Sequence, residues 1–190
     1  MKTTEPIRNK EDVKALMNYY LKRGELRNYL LITLCIHTAL RISDILRLTW
    51  DDVYDFENRR IRHSINITEK KTGKSKSIAL HKNVIKALKL YLHHSKQGNP
   101  LIINQQTNNA ISRVQAHRII SAAVKALALR QQVSCHSLRK TFGYYAWKNG
   151  VSPAVIMEIY NHSSFAVTRR YIGVSQDDKN AVYLSMDFAI

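Results

Sequence analysis

Acidic residues are scarce in this 190-residue chain: fourteen Asp and Glu face thirty Lys and Arg, a formal net charge of +16. Self-repulsion of that size is tolerated most easily beside a polyanion, so nucleic acid is the first partner class and an anionic membrane surface the second. Cysteine is nearly absent. Cys35 and Cys135 form no CxxC pair, which leaves neither a disulfide framework nor a zinc-finger spacing. Cys35 stands in an apolar helical stretch and reads as a core residue. None of the eight histidines falls in an HExxH pattern, so neither metal nor other cofactor is expected. Long apolar runs are missing too: the longest, "YLLITLCIHTAL", is interrupted by His37 and two threonines and is shorter than the roughly twenty residues of a membrane span. The opening "MKTTEPIRNKED" has no signal-peptide apolar region. These absences point to a reduced, cytoplasmic protein without a membrane partner.

Only three prolines and six glycines punctuate the chain, and no repeat or low-complexity linker divides it, so a single domain is expected. Hydrophobic residues make up 45%, enough for a core in a chain of this length. Asn9 and Asp12 signal a helix running to about Arg23 and closed by Gly24, followed by a second from Glu25 to about Leu40 and a short one capped by Ser43. From Val53 the pattern alternates, with Ile61, Ile65, Ile67 and Ile78 on the apolar phase and turns at Asn58 and Thr72-Gly73. This predicts a small antiparallel three-stranded sheet. Helical pattern returns over 83–96, 111–129 and 134–149. Ser152-Pro153 then opens a helix ending at Asn161, and Ser164 caps a last one carrying Tyr171. The expected fold is mainly α with that one small sheet.

Four stretches carry chemistry. "CHSLRKTFGYYAW" puts His136 and Arg139 on one helix face near an N-terminus, where an anion is favoured; taken alone, this is more simply a solvated helix start. "HTALRISDILRLTW" places Arg41 between apolar helices, where a guanidinium must meet a carboxylate or a phosphate. Asp44 is one such partner. "TEKKTGKSK" is a hairpin tip with Lys70, Lys71, Lys74 and Lys76, ordinarily just exposed charge. "NHSSFAVTRRYIGV" sets His162 and Tyr171 nine residues apart.

Taken together and in order, these stretches resemble the tyrosine recombinase (phage integrase) family, which shares its catalytic core with type IB topoisomerases. "TALRISDILRL" looks like the family's arginine box, "HSLRKTF" its His-x-x-Arg box, and "NHSSFAVTRRY" its Gly-His-Ser box running to the nucleophile. The likeness extends from about Asn9 to Val174. It implies a catalytic domain over residues 1–174 that cuts and rejoins double-stranded DNA without metal or ATP. Tyr171 would form a 3′-phosphotyrosine link, Arg41 and Arg139 would hold the non-bridging oxygens, and Lys71, nine residues before Leu80, would protonate the leaving 5′-oxygen, with Lys70 and Lys74 as the alternatives. His136 would move the nucleophile's proton and His162 would bond the phosphate. The residue types suit that chemistry. A free phenol titrates at about 10 and needs a base or a positive field, and guanidiniums are fixed bidentate donors for developing phosphorane charge. The family setting would be prokaryotic or phage, nucleoid-associated, with a monomer in solution and a homo-tetramer on DNA.

Departures from the family pattern are Asp44 for the usual Glu, Asn161 for Gly and Lys140 for a second His; none removes a catalytic group. Met1 stands about forty residues before Arg41, without the helical clamp domain that precedes most such catalytic domains. An excised catalytic domain and a small stand-alone recombinase resembling the fimbrial-switch invertases both account for that. The tail, residues 175–190, carries Val182, Tyr183, Leu184, Met186 and Phe188, and either packs on its own domain or docks on a neighbouring protomer. The main alternative function is a basic DNA-binding regulator that keeps the fold and never cuts. A metal-free ribonuclease using His136, His162 and a lysine is weaker. The DNA site and the choice among integration, excision, inversion and resolution are not written in the sequence, because backbone contacts position and base contacts specify.

Overall fold

Asn9 starts the first helix as expected, its side chain accepting the Glu11 amide at the head of α1 (Lys10–Lys22). The computed structural model describes residues 4–187; Phe188 of the tail lies outside them. Gly24, at φ +70°, turns the chain into α2 (Leu26–His37). Every residue of α2 from Asn28 to Ile36 is buried, as befits a helix that is apolar all round. Around it pack α1, α5 (Lys82–Tyr91) and α7 (Cys135–Lys148). The helix stops short of Leu40. The Thr38 hydroxyl donates back to the Leu34 carbonyl at 2.7 Å, and Ala39 then takes a left-handed backbone at φ +54°. Arg41, rather than Ser43, caps α3 (Ile42–Ile45). A short α4 (Trp50–Val53), closed by reciprocal Thr49–Asp52 bonds, was not foreseen; it stacks Trp50 on Tyr91 at 5.8 Å between ring centroids.

The expected three-stranded sheet is not formed. Two separate antiparallel ribbons stand in its place, β1 (Tyr54–Asp55) with β2 (Arg60–Ile61) and β3 (Ser64–Thr68) with β4 (Ser75–Ala79). The junction between them explains the difference. The Arg62 amide donates to Val53 O and the Leu80 amide to His63 O, each at 2.8 Å, so neighbouring residues serve different partners and no ladder runs through. In the longer ribbon Ile65 faces Ile78 and is fully buried, while the turn at Gly73 (φ +67°) projects the lysine-rich tip.

The helix expected over 83–96 ends at Tyr91 and continues as a 3-10 turn to His94. Three helices foreseen in the second half are α6 (Arg113–Ala126), α7 and α8 (Pro153–Tyr160), opened by side chains of Ser112, Ser134 and Ser152. Asn161 closes α8 in the left-handed conformation, φ +53°, and Ser164 precedes α9 (Phe165–Ile172). The tail forms α10 (Gln176–Ser185), begun by a Ser175–Asp178 capping box. Its apolar residues point outward: Tyr183 is 77% and Leu184 87% exposed. Among the described residues no helix is long and apolar enough to cross a membrane.

Two hydrophobic clusters hold these elements. A large one joins α1, α2, α5, α6 and the ribbons through residues such as Leu16, Leu30, Ile65, Leu88 and Ile120. A small one, Ala39, Ile156, Tyr160 and Ile172, ties α8 and α9 to the end of α2.

Candidate active site

Arg139 lies one turn into α7 and is only 2% exposed. Main-chain carbonyls seat its guanidinium: Nη1 donates to Ala39 O, and Nη2 to Tyr160 O at 3.3 Å. The Tyr160 ring centroid is 4.7 Å from Arg139 Cζ, and the Tyr160 hydroxyl donates to Arg139 O at 2.7 Å. Gly143 makes this possible, since a Cβ there would lie 2.5 Å from Tyr160 Oη. Arg139 Nε has no hydrogen-bond partner among the described residues.

Arg41 does not pair with Asp44. Asp44 Oδ1 instead accepts the Lys70 amide at 3.0 Å and fastens the hairpin tip to α3. Arg41 Nη1 donates at 2.8 Å to Glu69 Oε2, on a carboxylate that is fully buried. The same Oε2 accepts Thr72 Oγ1 at 2.9 Å and Asn161 Nδ2 at 3.0 Å, and Oε1 meets Lys76 Nζ at 2.8 Å. Burial raises the Glu69 carboxyl, but bonds from Lys76, Asn161, Thr72 and Arg41 outweigh it and hold the group at about 2.

Tyr171 is the penultimate residue of α9. Its ring meets His136 edge-on at 5.0 Å and His162 at 4.4 Å between centroids. His162 is oriented by a 3.0 Å contact between Nδ1 and the buried Thr168 hydroxyl. Burial, then the Arg139 and Arg41 charges, lower His162 to about 4. Desolvation in the groove, then Lys140, Arg139 and Arg41, also lower His136, although its edge is open to solvent. Both imidazoles are therefore neutral near pH 7 and able to accept a proton.

A groove of about 1080 Å³ is lined by Arg41, Lys71, His136, Arg139 and Tyr171, with Lys70, Arg113, Val114 and His117 along the same walls. Five of the six residues named from the sequence meet there, drawn from positions 41 to 171. His162 reaches it through the Tyr171 ring. No group of His, Cys, Asp or Glu with metal-binding geometry occurs among the described residues. Sequence reasoning missed Glu69, the seat given by Tyr160, and Lys140, which is buried with Nζ 5.5 Å from the Tyr171 ring. A lone acid inside a lysine run was a visible signal for Glu69; its partners are 28 and 92 residues away and were not.

Two guanidiniums, a lysine, an imidazole and a tyrosine around one basic groove, with a second imidazole behind the tyrosine ring, can hold a phosphodiester against a phenol. The chain belongs to the phage integrase family, whose model matches residues 8–177. It is 35% identical over 183 residues to the probable integrase/recombinase YoeC of Bacillus subtilis strain 168, covering 96% of this chain and 97% of that one. The crystal structure of XerA recombinase superposes with a TM-score of 0.78 at 22% identity, over 96% of this chain and 65% of that one. XerH site-specific recombinase, bound to palindromic difH substrate in a post-cleavage complex, gives 0.77 at 20% identity, over 93% and 51%. The chain thus spans nearly all of the first relative and between half and two-thirds of the two solved recombinases.

Proposed function

We propose that this protein is a site-specific DNA recombinase that cuts and rejoins strands through a 3′-phosphotyrosine at Tyr171. The observation that carries this is the convergence on one groove of Tyr171, His136, both arginines and Lys71. In the cleavage step Tyr171 Oη bonds to phosphorus as the P–O5′ bond breaks. The phenolic proton passes to neutral His136, and Lys71 delivers a proton to the departing 5′-oxygen. Arg41 and Arg139 neutralise the non-bridging oxygens as charge builds. His162 backs the phenol and contributes to the phosphate site. Rejoining is the reverse attack by a 5′-hydroxyl. The bond energy is held in the phosphotyrosine, so the cycle draws on no nucleotide.

Double-stranded DNA is the substrate best matched to a charge of +16. The exposed apolar residues at the end of α10 and just past it, Val182 at 56%, Tyr183 at 77%, Leu184 at 87% and Met186 at 57% exposure, suit docking on a neighbouring protomer. The reading we propose is a monomer in solution that assembles as a homo-tetramer on DNA, with residues 1–174 as the catalytic unit.

Trapping tests the reading. Labelled duplex, nicked so that the 5′ fragment escapes, is incubated with wild type and with Tyr171→Phe and run on a denaturing gel. The expected result is a covalent band in wild type alone. Salt-sensitive binding with no band on any candidate duplex would favour the non-cutting regulator.

A further inference from the structure

We infer that Glu69 is a positioning residue for the strand-cutting step: its one carboxylate holds Arg41, the Lys71 hairpin tip and the His162 turn in register. The inference rests on the function proposed above and gives it a residue outside the expected catalytic set.

Glu69 cannot touch DNA, being fully buried. What it touches are the mounts of three expected catalytic groups. Oε2 takes Arg41 itself at 2.8 Å, Thr72, next to Lys71, at 2.9 Å, and Asn161, next to His162, at 3.0 Å. The backbone of the tip closes on the same residue, with the Gly73 amide donating to Glu69 O at 2.9 Å and the Glu69 amide to Lys74 O at 3.0 Å. Oε1 meets Lys76 Nζ, which also donates to Ile159 O at 3.1 Å, inside the helix that ends at Asn161. Arg41, the hairpin and the α8–α9 turn come from distant parts of the chain, and this carboxylate bonds to all three.

Charge makes the arrangement necessary. Arg41, Lys76 and Arg139 crowd one region, where desolvation first and then the neighbouring arginines disfavour the charge of Lys76, and desolvation and then Arg41 that of Arg139. A single buried anion lets Arg41 stay at the groove with 21% of its side chain exposed and further guanidinium nitrogens free for a phosphate. Removing that anion leaves cations unpaired and the three mounts unlinked.

Glu69→Gln tests this. Single-turnover adduct formation on the nicked duplex should fall about 100-fold, the scale of an ångström-sized misplacement. Duplex affinity should stay unchanged or tighten, because a negative charge has been removed. The deficit should shrink on a duplex with a methylphosphonate at the scissile position, which carries one charge fewer for Arg41 to hold. A purely structural role would lower both substrates alike. Thr72→Val, at the rim, removes one donor without opening the core and should give a smaller loss of the same kind if Glu69→Gln folds poorly. Hydrogen exchange needs no cleavage: in Glu69→Gln, amides over 69–74 and 161–164 should exchange faster together while α1 and α5 stay protected. Wild-type adduct rates, equal deficits on both substrates, or exchange confined to the hairpin would overturn the inference. No adduct in wild type would strike the proposed function instead, and the exchange result would still decide whether Glu69 links the mounts.

Discussion

The large and small hydrophobic clusters do different work. Leu30, Ile65, Leu88 and Ile120 belong to a continuous core that reaches α3 through Ile45, and thus supports Arg41 and the hairpin. Tyr171 rides on α9, which is held with α8 by Ile156, Tyr160, Ile172 and Ala39. Arg41 and the hairpin therefore sit on the well-buried part of the molecule, whereas Arg139, seated on the carbonyls of Ala39 and Tyr160, joins the two parts. The proposed nucleophile sits on a thin part, where local opening costs less than global unfolding. A shift confined to α9 moves Tyr171 alone, but one that carries Tyr160 also moves the seat of Arg139.

Mutations on the two sides should separate stability from chemistry. Tyr171→Phe should abolish adduct formation with no change in melting temperature, read by the trapping gel beside a thermal melt. Leu30→Ala, in the large cluster, should cost about 2–5 kcal/mol by denaturant titration, with adduct rates that follow the folded fraction. Gly143→Ala should cost less, about 1–3 kcal/mol. Its new Cβ would strike Tyr160, 2.5 Å from Oη and 2.8 Å from Cε2, and displace the seat of Arg139. Adduct formation should therefore fall further than the unfolded fraction explains. If Gly143→Ala and Leu30→Ala lose activity in the same proportion to stability, the distinction between the clusters fails.

Acid should separate the sides as well. His162 titrates at about 4 in the folded protein against 6.5 ordinarily, so between these values the unfolded chain holds the extra proton. That contribution leaves stability whole above 6.5 and erodes it as pH falls towards 4. Glu69 titrates at about 2 against 4.5; its contribution is present above 4.5 and lost below, towards 2. Melting temperature should drop in two stages, the upper reduced by His162→Gln and the lower by Glu69→Gln, with Asp178, also held at about 2, keeping part of the lower one. The smallest effect is expected at the tail: Leu184→Ser, on a side chain 87% exposed, should leave stability within about 0.5 kcal/mol. Assembly on DNA, followed by sedimentation, should nevertheless weaken.

Local rules made much of this legible. Caps at Asn9, Ser134 and Ser152 and the left-handed Asn161 depend on neighbours in sequence, and all fell where expected. Alternation also revealed β3 and β4, but it could not show that Arg62 and Leu80 would spend their amides elsewhere, which split the sheet into two ribbons. At the site, the order of the four stretches and the family resemblance pointed to Arg41, Lys71, His136, Arg139, His162 and Tyr171, and the fold brings all but His162 to the lining of one groove. Charge pairing was not legible: Asp44, three residues from Arg41, is the nearer acid in sequence, yet Glu69 takes the guanidinium because the hairpin folds back over α3.

The two arginines differ in how they are exposed to genetic change. Arg139 rests on the carbonyls of Ala39 and Tyr160. Peptide carbonyls are present whatever side chain a codon specifies, so no replacement at those positions deletes the acceptor itself. Arg41 rests on a carboxylate that one nucleotide change can erase. A change at residue 69 therefore removes the acceptor of Arg41 outright, whereas Arg139 is lost only through changes that move its carbonyls, as Gly143→Ala would.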